Sequence, residues 1–403
     1  MRTFVYQGVN EDGHAVTGLV TAETRNEALS QLRGFRLHIR TLSEQSKIGA
    51  FFSSLKRVKR SALAIYTREL AAMFKSGLPL LRCLEVLANR GEDKLLEEVT
   101  VHVREKIKAG GSFFHAISAH PKVFDPVYLT LVQSGEISGH LGETLDRIAG
   151  FLERDVKLRQ QAKAVMTYPL IVFTFCVLIA GGLVIFIFPQ FIDMFQGFDV
   201  ALPWPTRFLI AVVSAFKNPV SFFTILAVLI VGFNILLRYI KTPVGRQHFD
   251  RLMLTFPVIG NINKKIAIAR FCRTFSTLFA SGVPILQALD VVSRVSGNAL
   301  INESVERVRE AVKYGSSVAV PMAETGLFPL MVTSMVQVGE QSGHLQALLT
   351  KIADYYEMEV EVALASLSKL IEPLLIGAMG GIVGFVLIAI FMPIYQLINS
   401  FSK

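Results

Sequence analysis

The decapeptide Val132-Gln-Ser-Gly-Glu-Ile-Ser-Gly-His-Leu141 returns as Val336-Gln-Val-Gly-Glu-Gln-Ser-Gly-His-Leu345, with eight of ten positions identical. The echo runs upstream, where Phe74, Ser76, Gly77, Pro79 and Leu84 match Phe279, Ser281, Gly282, Pro284 and Leu289. Downstream, Pro169 and Pro189 match Pro373 and Pro393. The offset is 205 residues as far as Ser112/Ser317 and 204 from Phe124/Phe328, so the second copy has lost one residue between them. A period this long means a duplicated domain and not a solenoid of short repeats.

A 403-residue chain that is 52% hydrophobic, with mean hydropathy +0.47, is too apolar for a soluble enzyme and is read as a membrane protein. The net charge of +9 does not imply a nucleic-acid partner, because the basic residues flank apolar runs and form no block with interleaved aromatics. Cys83, Cys176 and Cys272 lie far apart, with neither a Cys-x-x-Cys pair nor a nearby His, so neither a disulfide framework nor a zinc site is expected. The N-terminus has no apolar signal core and is expected to begin in the cytoplasm.

In chain order, residues 1–45 read as a small α+β module. Phe4, Tyr6, Val16 and Leu19 predict two strands around the turn Asn10-Glu-Asp-Gly13, and Thr24 to Leu32 predicts a short helix. Residues 46–60 are a basic linker, read as solvated in preference to a lipid contact. Residues 61–165 show helical periods punctuated by Gly77 and Pro79, Ser112, and Asp125-Pro126, which predicts a bundle of about six helices. Gly135 to Gly139 is read as the tight turn before its last helix, with Leu141, Leu145, Ile148, Leu152 and Val156 facing inward. Residues 262–369 repeat the plan, with Gly282, Pro284, Gly339 and Gly343 at the corresponding joints.

Three runs are long enough to cross a membrane: Ala164 to Ile192, Asn218 to Leu237 and Pro373 to Ser402 carry no charge over 29, 20 and 30 residues. They predict spans at 166–190, 218–238 and 371–396, with a periplasmic loop at 191–217. Phe208 to Phe216 is too short to cross and predicts an interfacial or docked helix. Arg147, Arg154, Lys157, Arg159 and Lys163 precede the first span, and Arg238, Lys241, Arg246 and Arg251 follow the second. The loop holds only Arg207 and Lys217, and the tail only Lys403, so the N-terminus and both bundles are expected in the cytoplasm and the C-terminus outside. The fold class is therefore a mainly α membrane protein with two homologous cytoplasmic bundles, three transmembrane helices and the N-terminal module.

No phosphate loop, His-Glu-x-x-His or Gly-x-Ser-x-Gly motif occurs, and no enzyme, cofactor or metal is expected. Glu136/His140 and Glu340/His344 sit four apart, but the two framing glycines and the lack of any nucleophile favour a polar-capped turn over catalysis. In the third span, Gly377 and Gly381, with Gly380 and Gly384, make two overlapping Gly-x3-Gly patterns that suit helix packing. Glu372 beside Pro373 marks its start as either a headgroup-level acid or a partner contact.

The duplicated Gly-Glu-x-Ser-Gly-x-Leu, Tyr168-Pro169 before the first span, Glu372-Pro373 before the third and the N-terminal module with Gly13 and Gly18 resemble the type II secretion protein F family and its PilC-type pilus counterparts. The resemblance covers the whole chain. It implies an inner-membrane platform, oligomeric, that touches a hexameric assembly ATPase, pilin or pseudopilin subunits, other inner-membrane assembly proteins and lipid. Some secretion-branch relatives hold calcium through acids that would fall at Glu92, Asp146 and Gly150; Gly150 supplies no carboxylate, which argues against that site here. The competing class is a small transporter built from repeats, disfavoured because each repeat is mostly bundle with a single homologous span.

Overall fold

Each repeat is cut into helices where the chain needs a backbone that only glycine takes cheaply. Gly77 and Gly282 have φ of +92° and +77°, and the prolines two residues later stand at the caps of the next helices. A computed structural model describes residues 2–9, 15–22, 38–44, 58–90, 93–190, 203–257 and 259–401. The first repeat comprises α1 (Arg60–Lys75), α2 (Leu80–Leu87), α3 (Lys94–Lys108), α4 (Phe113–Ser118), α5 (Pro126–Ile137) and α6 (Leu141–Gly182). A connecting segment folds as α7 (Trp204–Lys217), α8 (Pro219–Lys241) and α9 (Pro243–Thr255). The second repeat comprises α10 (Ile259–Ala280), α11 (Ile285–Val295), α12 (Ala299–Lys313), α13 (Ala319–Glu324), α14 (Leu330–Ser342) and α15 (Leu345–Phe401).

Side-chain caps fix the starts. Asp93 accepts from the amides of Leu95 and Leu96 at 3.1 and 3.3 Å, and Asn298 does the same at the start of α12. Asp125 accepts from Tyr128 N at 2.9 Å, with Pro126 in the first turn of α5. Inside, Leu70, Leu84, Val103, Phe113, Tyr128, Leu145 and Ile148 are buried in the first repeat, and Phe275, Leu289, Val308, Val336, Leu349 and Ile352 in the second. These side chains form one continuous apolar cluster across both repeats, so the two bundles share a core.

The N-terminal module is a three-stranded antiparallel sheet in the order β2-β1-β3: β1 (Arg2–Val9), β2 (Ala15–Ala22) and β3 (His38–Glu44). β1 and β2 pair from Arg2↔Ala22 to Val9↔Ala15, and the β1/β3 register shifts between Gln7 and Gly8. The sequence reading found two of these strands; β3, His-Ile-Arg-Thr-Leu-Ser-Glu, is too polar to announce itself. The turn at Asn10 to Gly13 and the helix expected over Thr24 to Leu32 lie outside the described residues.

The sequence reading separates bundle from span at 165/166 and 369/371, and the structure shows no separation. α6 runs on through a wider π turn at Leu183–Ile187 to Gln190, giving one 50-residue helix, and α15 is 57 residues long. Pro169 and Pro373 therefore sit inside helices and do not begin them. A proline inside a helix removes one hydrogen bond and crowds the preceding turn, and in both cases the helix continues past it. α7 docks across the far ends of both long helices: Leu209 and Val213 are buried with Val184, Phe188, Val386, Ala389 and Ile390. Thr206 Oγ1 donates to the Ala389 carbonyl at 2.7 Å.

One titratable group ties the first bundle to pH. Burial pushes the His120 pKa down, and the charges of His102 and Lys106 push it further; the two imidazoles stack with centroids 5.8 Å apart. A histidine with a lowered folded-state pKa loses stability as pH falls below the unfolded value of about 6.5. The first repeat should weaken between pH 7 and 5 while His120→Gln flattens that slope, as thermal unfolding of the purified chain at several pH values would show.

Candidate interaction surfaces

The duplicated motif turns inward. Glu136 accepts the amides of Phe113 and Phe114 at 2.7 and 2.9 Å, and Glu340 accepts those of Val318 and Ala319 at 2.6 and 3.0 Å. Each carboxylate thus caps the short fourth helix of its own repeat from 21 to 23 residues away, where free amides and the helix dipole favour a negative charge. Gly139 and Gly343 have φ of +73° and +72° and form the turns into α6 and α15. Gly135 and Gly339, read from sequence as part of that turn, are helical instead. A Cβ at Gly135 would lie 2.6 Å from Thr144 Oγ1, and one at Gly339 would lie 2.9 Å from the Leu345 Cα, so these two glycines let α5 and α14 pack hard against the helix that follows. His140 and His344 are exposed; His140 Nδ1 lies 2.8 Å from the Ser138 carbonyl, and no nucleophile among the described residues meets either imidazole.

Several ion pairs are duplicated with the fold. Arg68–Glu153 and Arg273–Glu357 are both 2.7 Å, and Arg60–Asp155 at 3.0 Å corresponds to Lys265–Glu359 at 2.6 Å. Between repeats, Lys157 pairs with Glu361 at 3.0 Å, Arg154 with Asp354 at 3.3 Å, and Arg270 with Asp155 at 3.6 Å. Ser134 Oγ donates to the Ser281 carbonyl at 2.7 Å, and Arg147 donates to the carbonyl of Ala280. Exposed pairs such as Lys157–Glu361 and Arg154–Asp354 contribute from nothing to about 1 kcal/mol each, so the apolar contacts of Ile262, Val360 and Leu364 with Leu158 and Ala162 carry more of the junction. A cavity of about 120 Å³ remains there, lined by Arg154, Asp155, Arg159, Arg270, Ile266 and Val360. Of the acids considered for calcium, Asp146 is engaged by Arg68 and Lys75, and Glu92 lies outside the described residues.

On the membrane side, an apolar groove of about 570 Å³ runs between the first and third spans and α7, with Ala180, Gly181, Phe208, Gly381 and Phe385 in its wall. Gly377, Gly380, Gly381 and Gly384 each have no heavy atom within 4 Å of where a Cβ would stand, so among the described residues their spacing packs no other helix. Glu372 is exposed and pairs with no group among the described residues.

Two long helices, each continuous from bundle into span and each entered through the same positive-φ glycine turn, are the arrangement to set beside known proteins. The profile of the type II secretion system protein F matches twice, over residues 66–189 and 271–393, and that of its N-terminal domain matches residues 1–43. The chain belongs to the type II secretion system protein F family. It is 38% identical over 407 aligned residues to the type IV pilus assembly protein PilC of Thermus thermophilus, with all of both chains covered. It is 34% identical to the PilC of Myxococcus xanthus over 98% of this chain and 95% of that one. Against the type II secretion system protein F of Vibrio cholerae it is 31% identical over the whole of both. Among its described residues, this member of the F family has three helices long and apolar enough to cross a membrane, within Leu141–Gln190, Pro219–Ile240 and Leu345–Tyr395. The family's two profile matches coincide with the two structural repeats, each running from α1 or α10 into its span.

Proposed function

We propose that this chain is the inner-membrane platform of a type IV pilus or type II secretion machine, coupling a cytoplasmic hexameric ATPase to the extraction and polymerisation of pilin or pseudopilin subunits. The observation that carries the reading is the continuity of α6 and α15, since a helix without a joint passes a rotation or tilt of its bundle directly to its span. In this reading the N-terminal module and both bundles face the cytoplasm, where the ATPase and other assembly proteins dock, and the C-terminus lies in the periplasm; the basic residues flanking the spans support that orientation. Glu372, Gly377 and Gly381 are unengaged within the chain and face lipid or a partner, which makes them the proposed contacts for subunits moving in the membrane. The role is structural and mechanical, with no catalytic step. Reporter fusions at Gly197, Gly315 and Lys403 should read outside, inside and outside, and deletion of the gene should abolish surface filaments or secretion. A cytoplasmic Lys403, or filaments that persist in the deletion, would overturn the reading, and substrate-dependent flux in reconstituted vesicles would favour the transporter.

A further inference from the structure

We infer that α8 is a self-association helix, pairing with the α8 of a second copy through Asn234. Of the three spans, α8 alone has none of its apolar window buried inside the chain. Phe223, Ile230 and Val231 are 65, 52 and 56% exposed. Such exposure by itself is what lipid expects; the carboxamide is not. Asn234 lies four to five residues from the middle of Pro219–Ile240, about 7 Å from the membrane midplane at 1.5 Å per residue and well inside a hydrocarbon core of about 30 Å. It is exposed, and its one hydrogen bond is Nδ2 to the Ile230 carbonyl of its own helix at 2.8 Å. One N–H and the Oδ1 remain without a partner among the described residues. A short side chain at that depth does not reach the headgroups, and an unpaired amide in hydrocarbon is costly.

The occupant follows from depth and chemistry. All copies insert with the same orientation, so a second α8 brings an identical amide to the same depth. A carboxamide is both donor and acceptor, and two of them related by a twofold axis normal to the membrane close a reciprocal pair. The residues above and below Asn234 on that face fall at spacings of three and four: Val220, Phe223, Ala227, Ile230 and Leu237. Ala227, one turn pair away, permits close backbone approach.

Single cysteines placed through α8 of the full chain, in native membranes, test this by disulfide crosslinking; the natural Cys83, Cys176 and Cys272 are buried and give the background. Crosslinked dimer should peak at positions 223, 227, 230 and 237 and fall at 225, 229, 232 and 236. With cysteine at 227, Asn234→Val should cut the yield roughly three- to tenfold at equal membrane level, and Asn234→Gln should restore much of it. Valine is at home in a span, so a folding failure does not imitate this loss. A flat profile along α8, adducts only to a protein of different mass, or full crosslinking in Asn234→Val would each overturn the inference.

Discussion

Replacing Glu136 by alanine will destabilise the first repeat by about 2–4 kcal/mol, because the side chain's two charge-assisted hydrogen bonds are lost together and the amides of Phe113 and Phe114 are left half-buried without acceptors. Among the described residues no other side chain is placed to take over. Ser112 already caps the next amide of α4, that of His115, at 3.1 Å, and a six-residue helix has little stability of its own to spare. Glu340→Ala should act alike on the second repeat, where Val318 and Ala319 lose their acceptor. Glu136→Gln keeps one carbonyl acceptor and should cost about half as much. Thermal unfolding of the purified chain would show a fall of at least about 4 °C for Glu136→Ala, on the scale of the roughly 200 residues that share the core. A variant that melts with the wild type would mean that water replaces the carboxylate and that the repeated Glu is kept for something else.

The second large effect separates two arginines that sequence treats as equals. Arg68 and Arg273 hold corresponding positions and pair with Glu153 and Glu357 at the same 2.7 Å. Burial decides between them: the Arg273 side chain is 9% exposed and Glu357 16%, against 39% and 46% for Arg68 and Glu153. Breaking a buried pair by removing one partner strands a charge, and Arg273→Ala should cost about 3 kcal/mol. Arg68→Ala should cost about 1 kcal/mol or less, since water solvates what it leaves behind. Urea unfolding of the two variants side by side checks this, and equal losses would show that the repeats are closer in environment than their exposures indicate.

What was legible in the sequence was what repeats and what is periodic. The duplication announces two bundles, the positive φ of Gly77, Gly139, Gly282 and Gly343 falls where helical periods stop, and uncharged length marks three spans. What was not legible depends on residues distant in the chain. Gly135 and Gly339 look like turn glycines because they stand beside Glu in a Gly-rich motif; their reason lies in Thr144 and Leu345, against which a side chain would collide. Glu136 shows its purpose only once α4 folds back to place two amides over it. The prolines at 169 and 373 read as entries to the spans because proline suits a first helical turn, and here each stands inside a helix that began far earlier in the chain. α9, with Asp250 accepting the Ala299 amide at 2.8 Å, sits in a stretch to which the sequence reading gave no element, since its apolar and basic residues follow no clean stripe. The pairs that join the repeats, such as Lys157–Glu361, span about 200 residues and leave no local signal.

If motion passes from bundle to membrane along a helix with no joint, a joint installed without changing length or register should stop it. Lys163, Ala164 and Thr167 in α6, and Ala365, Ser366 and Lys369 in α15, are exposed helical positions between bundle and span. Glycine at each triplet softens the helix by roughly 1 kcal/mol per residue while leaving the buried core and nearly all of each span untouched. Expressed in cells that lack their own copy, at wild-type membrane level and with bundles that melt normally, the six-glycine chain should lower surface filament assembly or secretion at least tenfold. Wild-type assembly from that chain would show that assembly does not depend on the continuity of these two helices.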